Sequence, residues 1–120
     1  MGYDLIGDVH GQADALVALL GRLGYRERGG TWGHPDRQAI FVGDLIDRGP
    51  NQRETVELVR RMVDAGRARC VMGNHEFNAI AWHTEDPDAP GRFLRPRVGE
   101  AGAKNRRQHA AFLAEVEDRP

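Results

Sequence analysis

Three short apolar runs, each ending in glycine and each followed by a helical pattern, constrain the fold of this chain most strongly. The runs span residues 3–7, 39–43 and 69–73, and apolar residues recur at helical spacing after the first two. A short helix fits residues 74–82, after the third run. Strands that alternate with helices are typical of right-handed βαβ units. The sequence therefore predicts an α/β fold with a mainly parallel sheet and flanking helices.

The remaining segments are less regular. Glycine and proline between residues 29 and 36 predict a turn or hairpin, and residues 83–103 predict a long loop rich in proline, glycine and charge. Residues 104–116 predict a final helix. A chain of 120 residues suits one domain, so we expect βα units at 1–82, the loop and the helix to form a single unit over residues 1–120. The inward face of the final helix would consist of Phe112, Leu113 and Val116.

Composition and charge exclude several classes of protein. The net charge of −1 argues against a globally basic nucleic-acid binder. No apolar run approaches the roughly 18 residues of a membrane span, so we expect no membrane partner. The single cysteine, Cys70, excludes an intrachain disulfide and lies in an apolar run, which predicts a buried, inert thiol. Together these features favour a cytoplasmic protein.

Polar side chains follow each of the three predicted strands. Because the carboxyl ends of parallel strands share one edge of a sheet, we expect these side chains to meet there despite their separation in sequence. Helix N-termini at the same edge favour an anionic ligand such as phosphate. Carboxylate, amide and imidazole groups together suit a hard or borderline divalent metal. The side chains are those of Asp8, His10, Asp44, Asp47, Arg48, Asn74 and His75.

The spacing within the clusters suggests how a metal and a phosphate would be held. Asp8 and His10 are separated by one residue, so an extended segment would point both side chains to one side, where they can chelate one ion. Asp44 directly follows the closing glycine of a strand, where a carboxylate is placed to bridge two ions. The planar guanidinium of Arg48 suits a phosphate.

His75 is a candidate proton donor, and Asp47 is placed to orient or charge it. Each cluster taken alone is also compatible with an ordinary surface turn or a helix cap. Three clusters in order, all at strand-to-helix junctions, favour a functional site over that alternative.

The three blocks Asp-x-His, Gly-Asp-x-x-Asp-Arg-Gly and Gly-Asn-His-Glu resemble those of the calcineurin-like metallophosphoesterases. The Asp-Arg-Gly form is similar to the branch that holds serine/threonine protein phosphatases, bacterial diadenosine tetraphosphatases and the phosphatase module of bacterial polynucleotide kinase-phosphatases. The resemblance covers residues 1–82 closely and residues 92–116 more loosely. It implies a chain that forms the N-terminal half of a four-layer α/β/β/α sandwich.

The resemblance also implies a metal-dependent hydrolase that acts on a phosphate ester or anhydride. Asp8 and His10 would ligate a first divalent metal, Asp44 would bridge two metals, and Asn74 would ligate the second. Manganese is the first candidate, and iron, zinc, cobalt or nickel are the others. A bridging water or hydroxide would attack phosphorus in line.

The same resemblance assigns the remaining polar residues. His75, paired with Asp47, would protonate the leaving alkoxide, and Arg48 would hold phosphoryl oxygens. The substrate class stays open among a phosphorylated small molecule, a nucleotide and a phosphoprotein.

One part of the family pattern has no counterpart here. The family's downstream histidines lie in a Gly-His-x-His-like block, whereas His34, His83 and His109 lack the expected neighbours and are expected at surface or half-buried positions. We therefore expect the N-terminal half of an enzyme, with a metal- or phosphate-binding remnant without turnover as the alternative. Half a sandwich would leave an apolar sheet face uncovered, which predicts self-association.

Basic residues outnumber acidic residues between positions 91 and 108. This bias is compatible with a groove for a polyphosphate or a nucleic-acid strand. A solvated loop and helix face is the more common origin of such a charge run, so nucleic acid is not a favoured partner. Trp32 and Trp82 are expected in core or edge packing.

Overall fold

Strands and helices alternate through the part of the chain that the computed structural model describes, residues 2–116. The order confirms the predicted α/β class with a parallel sheet and flanking helices. In chain order the elements are β1 (Gly2–Ile6), α1 (Ala13–Arg22), β2 (Arg26–Arg28), β3 (Thr31–Gly33), β4 (Arg37–Phe41), α2 (Gln52–Asp64), β5 (Ala68–Cys70), α3 (Asn74–His83) and α4 (Gly99–Val116).

The main sheet has three parallel strands in the order β1-β4-β5. Its register pairs Ile6 with Phe41 and Phe41 with Cys70, the last residues of the three strands. All three strands therefore end side by side, and the loops that follow them leave the sheet at one edge.

A small antiparallel hairpin, β2–β3, lies between α1 and β4 in the chain. Its turn consists of Gly29 and Gly30, with φ values of 60° and 81°. Glycine adopts this left-handed conformation without steric cost, so the turn predicted near these residues forms here. Trp32 of β3 is partly buried and packs against the main core, as expected for a core-edge residue.

The hydrophobic core joins one face of the sheet to α1 and α2. Side chains at helical spacing along each helix meet alternate residues of the strands. Full burial of such a side chain contributes about 1.5–3 kcal/mol, so this interface dominates the stability of the fold. The core includes Ile6, Leu16, Leu20, Phe41, Val59 and Met62.

The opposite face of the sheet is open among the described residues. Leu5 of β1 is 73% exposed, and Tyr3 and Val71 are also exposed. The final helix does not cover this face, because α4 packs against α2. Self-association through the open face stays a prediction.

Cys70 is exposed, so the prediction of a buried thiol was wrong. The side chain belongs to β5, which forms one edge of the sheet, and an apolar run at an edge does not guarantee cover on both faces. Partial desolvation still raises the pKa of the Cys70 thiol above its ordinary value.

The final helix begins earlier than predicted, at Gly99, so the preceding loop is shorter than 83–103. Gly102 is the reason that the helix can begin there, because a side chain at this position would collide with the backbone of Arg97. Leu113 is buried and Phe112 packs partly against the core, as predicted. The side chain of Val116 lies outside the described residues.

A carboxylate from α4 caps the start of α2. Glu115 accepts hydrogen bonds from the backbone N–H groups of Gln52 (2.9 Å) and Arg53 (3.2 Å). Free N–H groups and the helix dipole at an N-terminus both favour a negative charge there. This contact fixes α4 beside α2.

Among the described helices, none combines the length and the apolar character that crossing a bilayer requires.

Candidate active site

Three loops meet where the strands of the main sheet end. The loop after β1 is hydrogen-bonded to the loop after β4 through the N–H of His10 and the carbonyl of Asp44 (2.9 Å). The N–H of Gly11 donates to Leu45 (2.7 Å), and the N–H of Gly49 donates back to His10 (2.7 Å). The two loops thus form one rigid platform, as the predicted convergence at this edge requires.

Backbone contact also joins the loop after β4 to the loop after β5. Gly43 has a φ of 90°, and a side chain there would collide with the backbone of Gly73. Only glycine permits an approach this close, and it brings Asp44 next to the start of α3.

The platform carries unusual backbone conformations. Positive φ values between 45° and 78° occur at five residues other than glycine among those described. Left-handed backbone costs such residues of order 1 kcal/mol each, and it persists only where surrounding contacts hold it. All five are candidate site residues from the sequence: Asp8, His10, Asp44, Asp47 and Arg48.

Asp8, His10 and Asp44 form a group that suits a metal ion. Each offers one ligand atom, and the three atoms lie within 4.8 Å of one another. His10 Nδ1 donates to the carbonyl oxygen of Ile46 (2.8 Å), which leaves Nε2 as the unprotonated nitrogen. Neither carboxylate forms an ion pair with a described cation. Two carboxylates and an imidazole without a counter-charge fit a divalent metal well.

Asn74 lies against the same carboxylate. In the amide orientation that satisfies both groups, its nitrogen donates to Asp44 Oδ1 (3.0 Å) and Oδ2 (3.3 Å). The backbone N–H of His75 donates to Oδ1 as well (3.1 Å). The structure therefore brings all four predicted metal ligands together at one edge of the sheet.

His75 and Asp47 form a buried pair beside this group. His75 Nδ1 donates to Asp47 Oδ2 over 2.9 Å, and Asp47 is 0% exposed. Because an ionised carboxylate only accepts, Nδ1 carries the proton and Nε2 is available for a ligand. The rings of His10 and His75 lie 4.7 Å apart, edge to face, so the pair adjoins the metal-ligand group.

The sequence agrees with this geometry, because residues 1–112 match the family model of the calcineurin-like phosphoesterases. It belongs to that family.

Curated relatives of this phosphoesterase chain include bis(5'-nucleosyl)-tetraphosphatases named PrpE. The protein of Halalkalibacterium halodurans is 50% identical over 76 residues, which cover 62% of this chain and 31% of that protein. The protein of Bacillus subtilis is 42% identical over 76 residues, with the same shares of 62% and 31%. This chain therefore spans about a third of the length of the relatives it matches.

Among solved structures, a cold-active protein tyrosine phosphatase has a similar fold. It aligns with a TM-score of 0.56 and 26% identity, over 98% of this chain and 31% of that chain. A point mutant of a cold-active protein tyrosine phosphatase aligns with a TM-score of 0.55 and 26% identity, over 92% of this chain and 33% of that chain.

His109 belongs to the candidate site through its contact with Asp47, which the sequence did not reveal. The prediction of a surface or half-buried position was wrong, because His109 is 0% exposed. Its Nδ1 donates to Asp47 and lies 3.0 Å from Oδ1 and 2.9 Å from Oδ2. Asp47 thus receives hydrogen bonds from two imidazoles, one on α3 and one on α4. The Nε2 atom of His109 has no hydrogen-bond partner among the described residues.

A signal for His109 was present in the sequence. Asn105, His109 and Leu113 are four residues apart, a spacing that places them on one face of a helix. All three are buried. The expectation of a surface or half-buried His109 rested on its sequence neighbours, which do not match the family block, and not on its position in the helix.

Glu76 also has a role that the sequence did not specify. Its Oε1 accepts the N–H groups of Gly73 (2.9 Å) and Asp44 (2.5 Å), and its Oε2 accepts the N–H of Leu45 (2.8 Å). One carboxylate therefore ties the loop after β5 to the loop after β4. Glu76 is a positioning residue for Asp44.

Arg48 lies at the rim of the site. It follows the buried Asp47, has a φ of 78° and is exposed. It forms no ion pair with another described residue, so its guanidinium is accessible to a ligand.

Two arginines of the basic segment 91–108, the tail of the described chain, pack on aromatic rings. The guanidinium of Arg97 lies over the ring of Phe93 (3.6 Å) and over that of Trp82 (4.8 Å), and its Nε donates to the Trp82 carbonyl (2.8 Å). Arg106 also lies over Trp82, at 5.2 Å. Arg106 thus joins α4 to α3, and Arg97 holds the segment before α4 against α3, which favours packing over a nucleic-acid groove for these two residues.

Proposed function

We propose that this chain carries the metal- and phosphate-handling part of a phosphoesterase that hydrolyses a phosphate ester or anhydride. The proposal rests on the group of Asp8, His10 and Asp44. Their ligand atoms lie within 4.8 Å of one another, and no described cation pairs with the two carboxylates. The buried His75–Asp47 pair beside it supplies the proton-transfer group that such a reaction needs.

Two divalent metals fit the available donors. Asp8 and His10 would hold the first, Asp44 would bridge both, and Asn74 would hold the second, with manganese as the first candidate. When bound, the metals supply positive charge for the attacking and leaving oxygens and activate water for in-line attack on phosphorus.

Residues of the chain donate the proton and bind the substrate. His75 donates its Nδ1 hydrogen to Asp47, so in the imidazolium form its Nε2 carries the proton that passes to the leaving oxygen. His109 donates to the same carboxylate and holds Asp47 in place. Arg48, exposed at the rim, pairs with phosphoryl oxygens of the substrate.

A dinucleoside tetraphosphate is the first natural substrate to test, because the curated relatives are named for that reaction. A phosphotyrosine ester is the second, from the name of the solved relatives. A cytoplasmic location, supported by the cysteine content of the chain, also belongs to this proposal.

The test is turnover of an aryl phosphate by the chelator-treated chain after manganese is added back. We expect turnover by the unaltered chain and by Asp64→Asn, a matched change at an exposed residue of α2. Asp44→Asn should abolish it. Absence of turnover with each of the candidate metals, or equal turnover by Asp44→Asn, would refute the proposal.

A binding remnant without turnover is the second candidate function. It needs only the ligand group of Asp8, His10 and Asp44, whose ligand atoms lie within 4.8 Å of one another. This alternative predicts that manganese binds with an affinity that depends on Asp44, whereas no phosphate ester is hydrolysed. Calorimetric titration with manganese beside the turnover assay separates the two functions.

A further inference from the structure

A second concave site lies at the end of the sheet away from the metal-ligand group. Its cavity of about 500 Å³ is lined by the β2–β3 hairpin, by the segment that leads into β4, and by residues between α2 and β5. Three arginines contribute to its wall: Arg26, Arg28 and Arg67. Since β4 and β5 begin there and end at the candidate active site, the two sites occupy opposite edges of the sheet.

The charge of this cavity is uncompensated. Its lining contains no aspartate or glutamate, and none of the three arginines forms an ion pair with a described carboxylate. Glu27 is the acidic residue between Arg26 and Arg28. Its side chain points to the other face of the hairpin, because successive side chains of a strand point to opposite faces. A cleft of one charge sign concentrates positive potential, although the whole chain has a net charge of −1.

One of the arginines is held by hydrogen bonds, and a second packs along the backbone of the hairpin. An Nη atom of Arg26 donates to the carbonyls of Gly21 (3.2 Å) and Tyr25 (2.8 Å), which leaves its other N–H groups for a ligand. The aliphatic part of Arg67 lies across Gly33, where an added Cβ would come within 3.1 Å of Arg67 Cδ. A ligand therefore meets one guanidinium group, that of Arg26, that has already lost part of its rotational freedom.

The shape and the donors of the cavity define the class of ligand. Planar guanidinium groups bind phosphate through paired hydrogen bonds, and the hydroxyl of Thr31 adds a neutral donor. Three cationic groups in one cleft suit an anion with several charges, and the volume suits a small molecule.

We propose that this cavity binds a compact polyphosphate group, free or as part of a nucleotide, without a metal and apart from the active site. Neither the proposed hydrolysis nor the residues assigned to it are needed for this binding, so the two proposals stand or fall separately.

The test is calorimetric titration of the full chain with inorganic tripolyphosphate in excess chelator, which removes the active-site metals. The decisive variant is Arg28→Gln/Arg67→Gln, which changes two exposed residues of the cavity. Arg92→Gln/Arg107→Gln is the matched control, since it removes the same charge from exposed positions of the tail. We expect the cavity variant to bind at least about tenfold more weakly, a factor that corresponds to ~1.4 kcal/mol, and the control to bind as the unaltered chain does.

Parallel titrations with ATP and adenosine identify the source of the phosphate. Equal affinities for ATP and tripolyphosphate would assign the site to the phosphate chain alone, whereas tighter binding of ATP would extend it to the nucleoside. No binding of tripolyphosphate would overturn the proposal, and so would equal weakening by both double variants. A loss caused by Arg48→Gln instead would place the anion in the active site and equally overturn it.

Discussion

The amino edge of the three-stranded sheet, where the strands begin, and its carboxyl edge, where they end, differ in whether their carboxylates pair with a cation. Near the amino edge, Asp4 in the middle of β1 accepts hydrogen bonds from Nε (2.9 Å) and Nη2 (2.9 Å) of Arg37, the first residue of β4, and from the hydroxyl of Tyr25 (2.9 Å). At the carboxyl edge, Asp8 and Asp44 have no described cation partner and stand on left-handed backbone. The first carboxylate joins β1 to β4, whereas the other two are left available for a ligand.

The pKa values at the amino edge reflect this pairing. The hydrogen bonds from Arg37 hold the pKa of Asp4 below its ordinary value. Burial, with the hydrogen bond to Asp4, raises the pKa of Tyr25. Among these three carboxylates, the paired one thus serves the structure, whereas the two without a cation partner stand on strained backbone at the candidate site.

The largest expected effect comes from Asp44→Asn at the carboxyl edge. We expect turnover with manganese to fall by more than about 100-fold, beyond the range for residues that merely support a ligand. The free energy of unfolding in chelator should not fall, because the change removes repulsion between Asp44 and Asp8. Urea denaturation beside the turnover assay checks both statements. Lower stability with unchanged turnover would show that Asp44, like Asp4, serves the structure and not a ligand.

Glu76→Gln should produce the next largest effect. Glutamine has one acceptor oxygen and brings an N–H group towards backbone donors, so the loop that carries Asp44 loses its anchor. We expect manganese affinity to weaken about 10–100-fold by calorimetry. Glu54→Gln, at an exposed position of α2, is the control, and equal affinities of the two variants would contradict the positioning role.

His109→Leu tests the contact between α4 and Asp47. Loss of one donor to a fully buried carboxylate should lower the free energy of unfolding by about 1–3 kcal/mol. His109→Asn should recover part of this loss, since its amide can donate in place of Nδ1. His83→Leu changes an exposed histidine and should be nearly neutral in the same urea experiment. Equal stability of the two leucine variants would show that the contact contributes nothing.

Asp4→Asn should give the smallest effect, at the amino edge. The pKa of Asp4 is lowered in the folded state, so its stabilisation is fully present above the ordinary value near 3.9 and is lost as pH falls through the lower folded value. We expect a loss of up to about 1 kcal/mol at pH 7, in the range of exposed ion pairs. The difference between the two proteins should shrink below pH 4, and manganese affinity at pH 7 should stay the same. A difference that grows in acid would contradict this sign.

The parts of the fold that depend on local pattern were predictable. Apolar runs and helical spacing located the strands of the main sheet to within three residues, and the position of polar residues after those strands located the candidate ligands. The rule that parallel strands end at a common edge then brought Asp8, Asp44 and Asn74 together without any knowledge of their contacts.

The parts that depend on packing between distant elements were not predictable in this way. The exposure of Cys70 follows from the position of β5 at an edge of the sheet, and strand order cannot be read from a single run. The burial of His109 follows from the docking of α4 against α2. The start of α4 at Gly99 depends on the contact of Gly102 with Arg97.

The final helix gives the molecule one further property. Glu115 and His109 both belong to α4. Glu115 accepts a hydrogen bond from the start of α2, and His109 donates one to Asp47. A fluctuation that lifts α4 therefore breaks both contacts in a single opening event and frees the carboxylate that holds His75. The amide protons of α4 should exchange with solvent as one cooperative unit, and the free energy of that opening sets the fraction of molecules in which both imidazoles hold Asp47.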